Sequence, residues 1–211
     1  MFDLNRLREI SSRAGSASEK AAGIVAGTRE NVAAIQGDAT RSEAWKADRL
    51  SEIRESAGRS LAAVVPLSRE DAEAVDLEMA ALSDPTMMLS RQPVAGTKLD
   101  SIEDLAARAE FRALMGNATP AVREAWFNQL ASRQDWGRLG VLLSMSPELR
   151  EKATDLPIPG REEAIGLLST IRKHESTCHS AFTQLRAAAD PGNQRAALAA
   201  AVSDLASGWF K

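Results

Sequence analysis

Several residue types that mark common protein classes are scarce in this chain. It has one cysteine, which excludes an internal disulfide framework, and only two histidines. Aromatic residues make up 4% and tyrosine is absent, which leaves too few rings for a base-stacking platform. The net charge of −3 gives no long-range attraction to polyanions. We therefore expect no nucleic-acid partner.

Long hydrophobic runs are also absent. The longest apolar run in the N-terminal region, residues 21–27, is far too short to cross a bilayer. The first residues carry acids and bases where a signal peptide would have an apolar core. The single cysteine fits a reducing compartment. The sequence thus predicts a soluble, cytoplasmic protein without a membrane span, compatible with incorporation into a virion-like assembly.

Period-two alternation, the mark of a half-buried strand, is missing throughout. Hydrophobic residues make up 44% and charged residues 26%, as in ordinary globular proteins. Alanine, leucine, glutamate and arginine favour helix, and β-branched residues are sparse. We predict an all-α fold: a long N-terminal helix or helical hairpin, coiled-coil-like, followed by a small antiparallel helical bundle. The predicted domains are residues 1–65, 66–98 and 99–211.

Residues 1–65 contain no proline and carry a 3.5-residue repeat of small and apolar residues, typical of a helix that packs along another helix. Its positions are Leu4, Leu7, Ser11, Ala14, Ser18, Ala21, Val25, Thr28, Val32, Ile35, Ala39 and Ser42. Leu4, Leu7, Val25, Val32 and Ile35 are its strongest candidates for contact with a partner.

Gly37-Asp38 is the best place for a break in this region. A continuous helix would be about 90 Å long, whereas a hairpin would cover its own apolar positions. We favour two helices, the second running from about Ser42 to Val64 with Asp38 or Thr40 as its cap. Gly23 and Gly27 each cost about 1 kcal/mol inside a helix. We interpret them as a surface for close helix packing.

After Pro66, Ser68 and Asp71 predict the start of an acidic helix with Val75, Met79 and Leu82 on its inner face. Residues 83–98 contain Pro85, Pro93 and Gly96, and we expect an irregular but docked apolar linker at a domain boundary.

Residues 99–211 have clear helix signals. We expect helices to begin at Asp100 with Glu103, at Thr119-Pro120, at Ser146-Pro147-Glu148 and at Asp190-Pro191. The first of these helices should end at Gly116-Asn117, and a further short helix should run from about Trp136 to Leu143. Short connectors predict antiparallel neighbours. Residues 160–189 form a second long helix with an unbroken heptad pattern at Ala164, Leu168, Ile171, Glu175, Cys178, Phe182, Leu185 and Ala189. The last predicted helix has Leu198, Val202, Leu205 and Trp209 on one face.

The one chemically suggestive cluster is His174, Glu175, Cys178 and His179. The histidines are five residues apart, about 140° around a helix, so they cannot grip one zinc ion as an i, i+4 pair does. His174 with Cys178, or Glu175 with His179, would need ligands from another chain. Glu175 interrupts the apolar heptad, and it either faces a cation from a neighbouring helix or faces solvent. We favour solvent.

No other pattern indicates catalysis. The chain has neither GxxxxGK[ST] nor GxGxxG after a strand, and no base marks a serine or cysteine as a nucleophile. The sequence predicts no catalytic residue, no metal and no cofactor. Trp209 and Phe210, near the C-terminus, either fold back or anchor a neighbouring subunit. Trp209 and Phe210 are therefore candidate interaction residues, together with Leu168, Ile171 and Phe182 of the second long helix and the five residues named above in residues 1–65.

These patterns favour a non-enzymatic structural or assembly protein that associates with copies of itself, or packs into a larger complex, through its long helices. Viral scaffolding and virion-associated subunits are one class of this general character, by analogy only. A helical adaptor or chaperone that binds a partner's helix is the second hypothesis. A metal-dependent all-α enzyme using residues 174–179 is a distant third.

Replacing Val25 and Val32 by aspartate tests the first hypothesis in its sequence-based form. If the N-terminal repeat holds an oligomer, two buried charges should dissociate it. Light scattering coupled to size-exclusion chromatography measures the mass, and an unchanged oligomer mass would rule out this repeat as the interface.

Overall fold

A computed structural model describes residues 2–189 of the protein, with side-chain environments as far as residue 185. All regular structure in this range is helical, as predicted. The α-helices are α1 (Leu4–Gly37), α2 (Glu43–Ala62), α3 (Arg69–Ser83), α4 (Pro85–Ser90), α5 (Ile102–Gly116), α6 (Pro120–Ser132), α7 (Trp136–Met145), α8 (Arg150–Ala153) and α9 (Arg161–Ala189). A 3₁₀ turn, Pro147–Leu149, precedes α8.

The chain forms two compact units. Among the described residues, unit 1 comprises residues 2–8 and Asp71–Leu168, and unit 2 comprises Glu9–Glu70 and residues 169–189. Each is described by itself below. The domain limits 1–65, 66–98 and 99–211 stay predictions from composition.

The 3.5-residue repeat of α1 coincides with its buried side. Six of the repeat positions in α1 are buried, and the others, Ser11 among them, are half-buried. The six are Leu7, Ala14, Ser18, Ala21, Val25 and Thr28. The apolar period therefore marks the face that α1 turns toward the rest of its own chain.

The break at Gly37 is confirmed, because α1 ends there and α2 begins at Glu43. The predicted cap was wrong. Ser42 is the N-cap of α2 and its Oγ accepts from the backbone N–H of Trp45, whereas Asp38 accepts from the N–H and hydroxyl of Thr40. Asp38 thus closes the connecting turn instead of starting the helix.

The core of unit 2 draws on three helices. Ala21 and Val25 of α1, Leu61 of α2, and Cys178 and Ala181 of α9 pack in one buried cluster. Val64, just beyond α2, joins them. The C-terminal end of α2 therefore lies beside the middle of α1, and both lie against α9.

In unit 1, the predicted inner face of α3 was wrong in part. Val75 is fully buried, but Met79 is 41% exposed and Glu78 is buried in its place. Glu78 tolerates burial because Arg91 donates to its carboxylate at 2.8 Å. The partner lies far along the sequence, so periodicity alone points to the wrong residue.

The segment 83–98 is docked, as expected, but its predicted irregularity was wrong. It contains α4, with Asp84 as N-cap and Pro85 in the first turn, where proline is tolerated. Met88, Leu89 and Val94 are almost fully buried. The prolines therefore begin and bound a short helix that packs against α7 and α8.

Most of the helix ends predicted for α5 and α6 are confirmed. Thr119 caps α6 with Pro120 in its first turn, and α5 ends at Gly116. The cap of α5 is Ser101 and not Asp100, which has a φ of 58°. The predicted inner face of α6 was also wrong in part, because Val122 is 44% exposed and Phe127 is buried instead.

Helix α7 is the centre of unit 1 and packs against α4, α5 and α6. It approaches the segment 89–94 so closely that two of its inward positions must be glycine. A Cβ on Gly137 would lie 2.6 Å from the carbonyl oxygen of Pro93, and one on Gly140 would lie 2.9 Å from the backbone nitrogen of Ser90. The amide of Gly137 donates to that same Pro93 oxygen at 3.2 Å.

Gly137→Ala should therefore destabilise the protein by about 2–4 kcal/mol, because backbone atoms must move to admit the methyl group. Gly166→Ala in α9 is the matched control: its Cβ would meet nothing within 4 Å. The higher helix propensity of alanine should leave it unchanged or up to about 1 kcal/mol more stable. Urea unfolding followed by tryptophan fluorescence measures both, and equal stabilities would contradict this packing.

Candidate functional site

The histidine–cysteine cluster of α9 has structural partners within unit 2. The Oγ of Ser18 lies 2.9 Å from Nδ1 of His174 and donates its own hydrogen to the carbonyl oxygen of Gly15 at 2.8 Å. The direction of the hydrogen bond between Ser18 and His174 depends on the tautomer of the imidazole ring. The ring thus links α9 to α1.

The positions of Cys178 and Glu175 do not indicate a shared metal or catalytic site. Cys178 belongs to the buried cluster, and burial, followed by the charge of Glu175, raises the pKa of its thiol. A reactive thiol needs the opposite shift. Glu175 is 39% exposed and accepts from Arg172 at 2.8 Å, so the solvent-facing interpretation is the better one. Among residues 2–185, no three His, Cys, Asp or Glu side chains are grouped to hold a metal ion.

The interaction residues predicted on the two long helices do not lie together on a free surface. Four of them, Leu7, Val25, Leu168 and Ile171, are buried within the protein itself. Another four are half-buried: Leu4, Val32, Ile35 and Phe182. Trp209 and Phe210 lie outside the described residues.

Helix α5 holds a surface that the sequence analysis did not single out. Its inner side is fixed by Asp104, whose side chain is fully buried. The carboxylate accepts from the N–H of Val94 at 2.6 Å, the hydroxyl of Thr97 at 3.1 Å, the N–H of Asp100 at 3.3 Å and Nε of Arg108 at 2.8 Å. One side chain thereby ties α5 to the segment that precedes it.

These contacts outweigh the cost of burying the charge. Burial by itself opposes ionisation of Asp104, but the hydrogen bonds from Val94 and Arg108 hold the pKa of its carboxyl below its usual range. Arg108 also donates to the carbonyl oxygen of Gln92. Farther along the inner side, the ring of Phe111 meets that of Trp126 edge to face with centroids 5.6 Å apart.

With its inner side fixed in this way, α5 turns an apolar stripe outward. Ile102 is 84% exposed and Leu105 is 54% exposed. At 100° per residue, the exposed alanines Ala106, Ala109 and Ala113 continue the same stripe. We call these five residues the α5 outer face. The spacing i, i+3, i+4, i+7, i+11 is that of a helix with a packing partner, yet no described residue covers Ile102.

Charges border the α5 outer face asymmetrically. Glu103 and Glu110 lie about 90° to one side of Ile102, and Arg112 lies about 80° to the other side. All three are exposed. Two such helices that pack face to face in parallel would bring the acidic border of each beside the arginine border of the other.

Unit 2 contains a second open surface, a groove between α1 and α9. Two neighbouring cavities of about 480 and 160 Å³ form it and share Val25, Arg29 and Gln184. The walls are rich in small residues, among them Ala22, Ala26, Ala33, Ser176, Thr177 and Ser180. None of its lining residues is acidic. We call it the α1/α9 groove.

No helix in the described part of the chain has the length and hydropathy needed to cross a membrane. Comparisons with known proteins assign no family, because no family model, curated protein or solved structure matches this chain. Function must therefore be inferred from the surfaces themselves.

Asp104→Asn tests the anchoring of α5. The carboxylate contributes stability above its unfolded pKa of about 3.9, and this contribution is lost as the pH falls through its lowered folded pKa. The variant should be about 3 kcal/mol less stable at pH 7, with a smaller deficit in strong acid. Urea unfolding at both pH values measures this. Asp155→Asn, at an exposed site of unit 1, is the control, and a deficit that is independent of pH would contradict the account.

Proposed function

We propose that this protein is a non-enzymatic assembly subunit that associates with a second copy of itself through the α5 outer face. The observation that carries the proposal is the exposure of Ile102 and Leu105 on a helix whose opposite side is fixed by buried hydrogen bonds. A soluble surface rarely keeps a helical apolar stripe without a partner, since burying each large aliphatic side chain contributes about 1.5–3 kcal/mol.

The burial of the long-helix repeats supports this choice of surface. Leu7, Val25, Leu168 and Ile171 already pack inside the protein, so self-association through them would require the subunit to open. Val25→Asp would accordingly damage the subunit's own core, and a change in mass on that substitution would not identify the interface. The α5 outer face can associate without any rearrangement.

Charge favours a second copy as the occupant. In a parallel pair, Glu110 of each copy lies about 3 Å along the helix axis from the level of Arg112 of the other, on the matching border of the stripe. In an antiparallel pair the glutamate borders would meet and repel. The face is therefore self-complementary in one orientation. Its small area predicts a reversible dimer instead of a permanent one.

The helical adaptor is the alternative, and the α1/α9 groove favours it. A groove lined by small residues between two helices can receive a third helix. On that hypothesis the isolated protein stays a monomer and the groove is filled by a helix of another protein.

Ile102→Asp combined with Leu105→Asp should abolish self-association, because two charges cannot be buried in an apolar contact. Sedimentation equilibrium of the wild type should show a mass that rises with concentration from 22.6 kDa toward twice that value, and the variant should remain at the monomer mass. Leu77→Asp with Val122→Asp places two charges at exposed positions of α3 and α6, and should dimerise like the wild type.

Two results would contradict the proposal. One is a wild type that stays monomeric over a roughly hundredfold concentration range, which would transfer support to the adaptor. The other is equal loss of association in the α5 variant and its control. Circular dichroism confirms that each variant has kept its helical content.

A further inference from the structure

The α1/α9 groove is a basic surface on an acidic protein. Its described lining residues include two cations, Arg29 on α1 and Lys173 on α9, and no carboxylate. The whole chain, by contrast, has a net charge of −3. Both cationic residues are exposed, and neither forms an ion pair within the described part of the chain. The groove therefore presents positive charge that the described residues leave unneutralised.

The acids on the two wall helices are turned away from the groove. Glu175 of α9 lies about 160° around the helix from Thr177, which is one of the lining residues. On α1, Glu19 and Glu30 lie about 80° and 100° around the helix from Arg29, and neither lines the groove. An anionic ligand would thus meet the two cations without a carboxylate between them.

A chain of hydrogen bonds holds one of the cations in place. Arg29 donates to Oε1 of Gln184 at 2.9 Å, and Nε2 of Gln184 donates to the hydroxyl of Ser180 at 3.1 Å. The hydroxyl of Thr177 donates to the carbonyl oxygen of Lys173 at 3.0 Å. Two hydroxyls of the groove therefore have partners within the protein already, so that an apolar neighbour can cover them. A guanidinium held before binding also lowers the entropic cost of association.

The walls of the groove suit a helix as the occupant. They belong to two helices that run in the same direction, because Ser18 lies beside His174 and Arg29 lies beside Gln184. The floor is apolar and includes Ala181 of the buried cluster. Between the two cations the walls consist mainly of small residues, which let a third backbone approach closely. These residues are Ala22, Ala26, Ser176, Thr177 and Ser180.

The two cations set a spacing for that occupant. The contacts of Ser18 with His174 and of Arg29 with Gln184 place Lys173 level with residue 17 or 18 of α1. The cations are thus about 16–18 Å apart along the groove, at about 1.5 Å per residue. Two carboxylates on a helix match this distance when they are about eleven residues apart, since that advance also returns to within about 20° of the same face.

We propose that the α1/α9 groove binds a helix of another protein that presents small residues and two carboxylates eleven residues apart. One carboxylate pairs with Arg29 and the other with Lys173, while the small residues between them pack on the alanines of the α1 wall. A polyanion fits the groove less well, because the walls offer no aromatic side chain for base stacking and only two cations.

This docking goes beyond the proposed self-association, because it uses another surface in another unit. It also gives the adaptor alternative a ligand of stated chemistry. The two activities are compatible, since a subunit that self-associates through the α5 outer face can still bind a partner's helix in the α1/α9 groove.

Fluorescence anisotropy of labelled synthetic helices, titrated with the full-length chain, tests the docking. The first peptide has about 20 residues and blocked ends, with alanines on one face, glutamines elsewhere and two glutamates eleven residues apart. The second has the same composition, but its glutamates are nine residues apart and so lie on opposite faces. The first should bind saturably with a Kd below about 1 mM. The second should bind about three- to fivefold more weakly, because it forms only one of the two ion pairs.

Charge reversal in the protein provides an independent arm. Arg29→Glu with Lys173→Glu reverses the groove, and Lys98→Glu with Arg133→Glu reverses two exposed cations of unit 1 as the matched control. The groove variant should bind the first peptide at least about tenfold more weakly than the wild type, whereas the control should bind it equally well. A third peptide, with lysines in place of the glutamates, should prefer the groove variant to the wild type, which a merely damaged groove would not do.

Several outcomes would overturn the proposal. They are the absence of saturable binding to the wild type, equal affinities for the first two peptides, and equal affinities of the two charge-reversal variants. Tighter binding of a single-stranded oligothymidylate of about 20 nucleotides would assign the groove to a polyanion. Loss of self-association in the groove variant alone would assign it to a second copy. Ile102→Asp with Leu105→Asp should bind the first peptide as the wild type does, so that failure of this docking and failure of the proposed self-association are distinguishable.

Discussion

The buried carboxylate of Asp104 is the interaction on which the candidate interface depends. It collects hydrogen bonds from Val94, Thr97 and Asp100 and an ion pair from Arg108. Asp135, almost as deeply buried, accepts from the N–H of Ala95 at 3.2 Å and caps α7. Two aspartates therefore hold the segment 94–100 from two helices.

This fixed segment decides which side of α5 is free. A helix held by a buried charge cannot rotate about its axis without leaving that charge unpaired, which is costly. The exposure of Ile102 is consequently imposed by the opposite side of the same helix. An apolar stripe that is held outward in this way points to association with another chain more strongly than an exposed residue on a loosely packed helix would.

Small residues serve two different purposes in the two units. In unit 1, the backbone of residues 89–94 occupies the space beside Gly137 and Gly140 where a side chain would otherwise lie. In unit 2, Gly23 and Gly27 destabilise their helix by a similar amount, but a Cβ added to either would have no neighbouring atom within 4 Å. This contrast is the reason to seek an occupant for the α1/α9 groove, whereas the α7 surface needs none.

Local signals made much of the fold predictable from sequence. The break at Gly37, the start of α6 at Thr119-Pro120 and the extent of α9 each depend on residues a few positions apart. The inner face of α3 was only partly predictable, because Val75 is buried as expected but the burial of Glu78 depends on Arg91. Nor was the tight approach at Gly137, which requires a backbone distant in sequence.

The candidate surfaces were only partly predictable for the same reason. The repeat in α1 correctly identified a packing face, but a 3.5-residue period does not say whether the partner helix belongs to the same chain. The stripe on α5 is visible in the sequence once its spacing is noted. Its exposure becomes evident only when Asp104 and Phe111 are seen to face inward.

The most direct test of the central claim is the rate of disulfide cross-linking of Ala109→Cys, in the middle of the α5 outer face. The native Cys178 is 1% exposed and does not compete. If two α5 helices pack face to face, the introduced thiols lie within bonding reach, and mild oxidation should yield linked pairs about ten times faster than for Ala80→Cys on the exposed side of α3. Equal rates for the two variants would contradict self-association through α5.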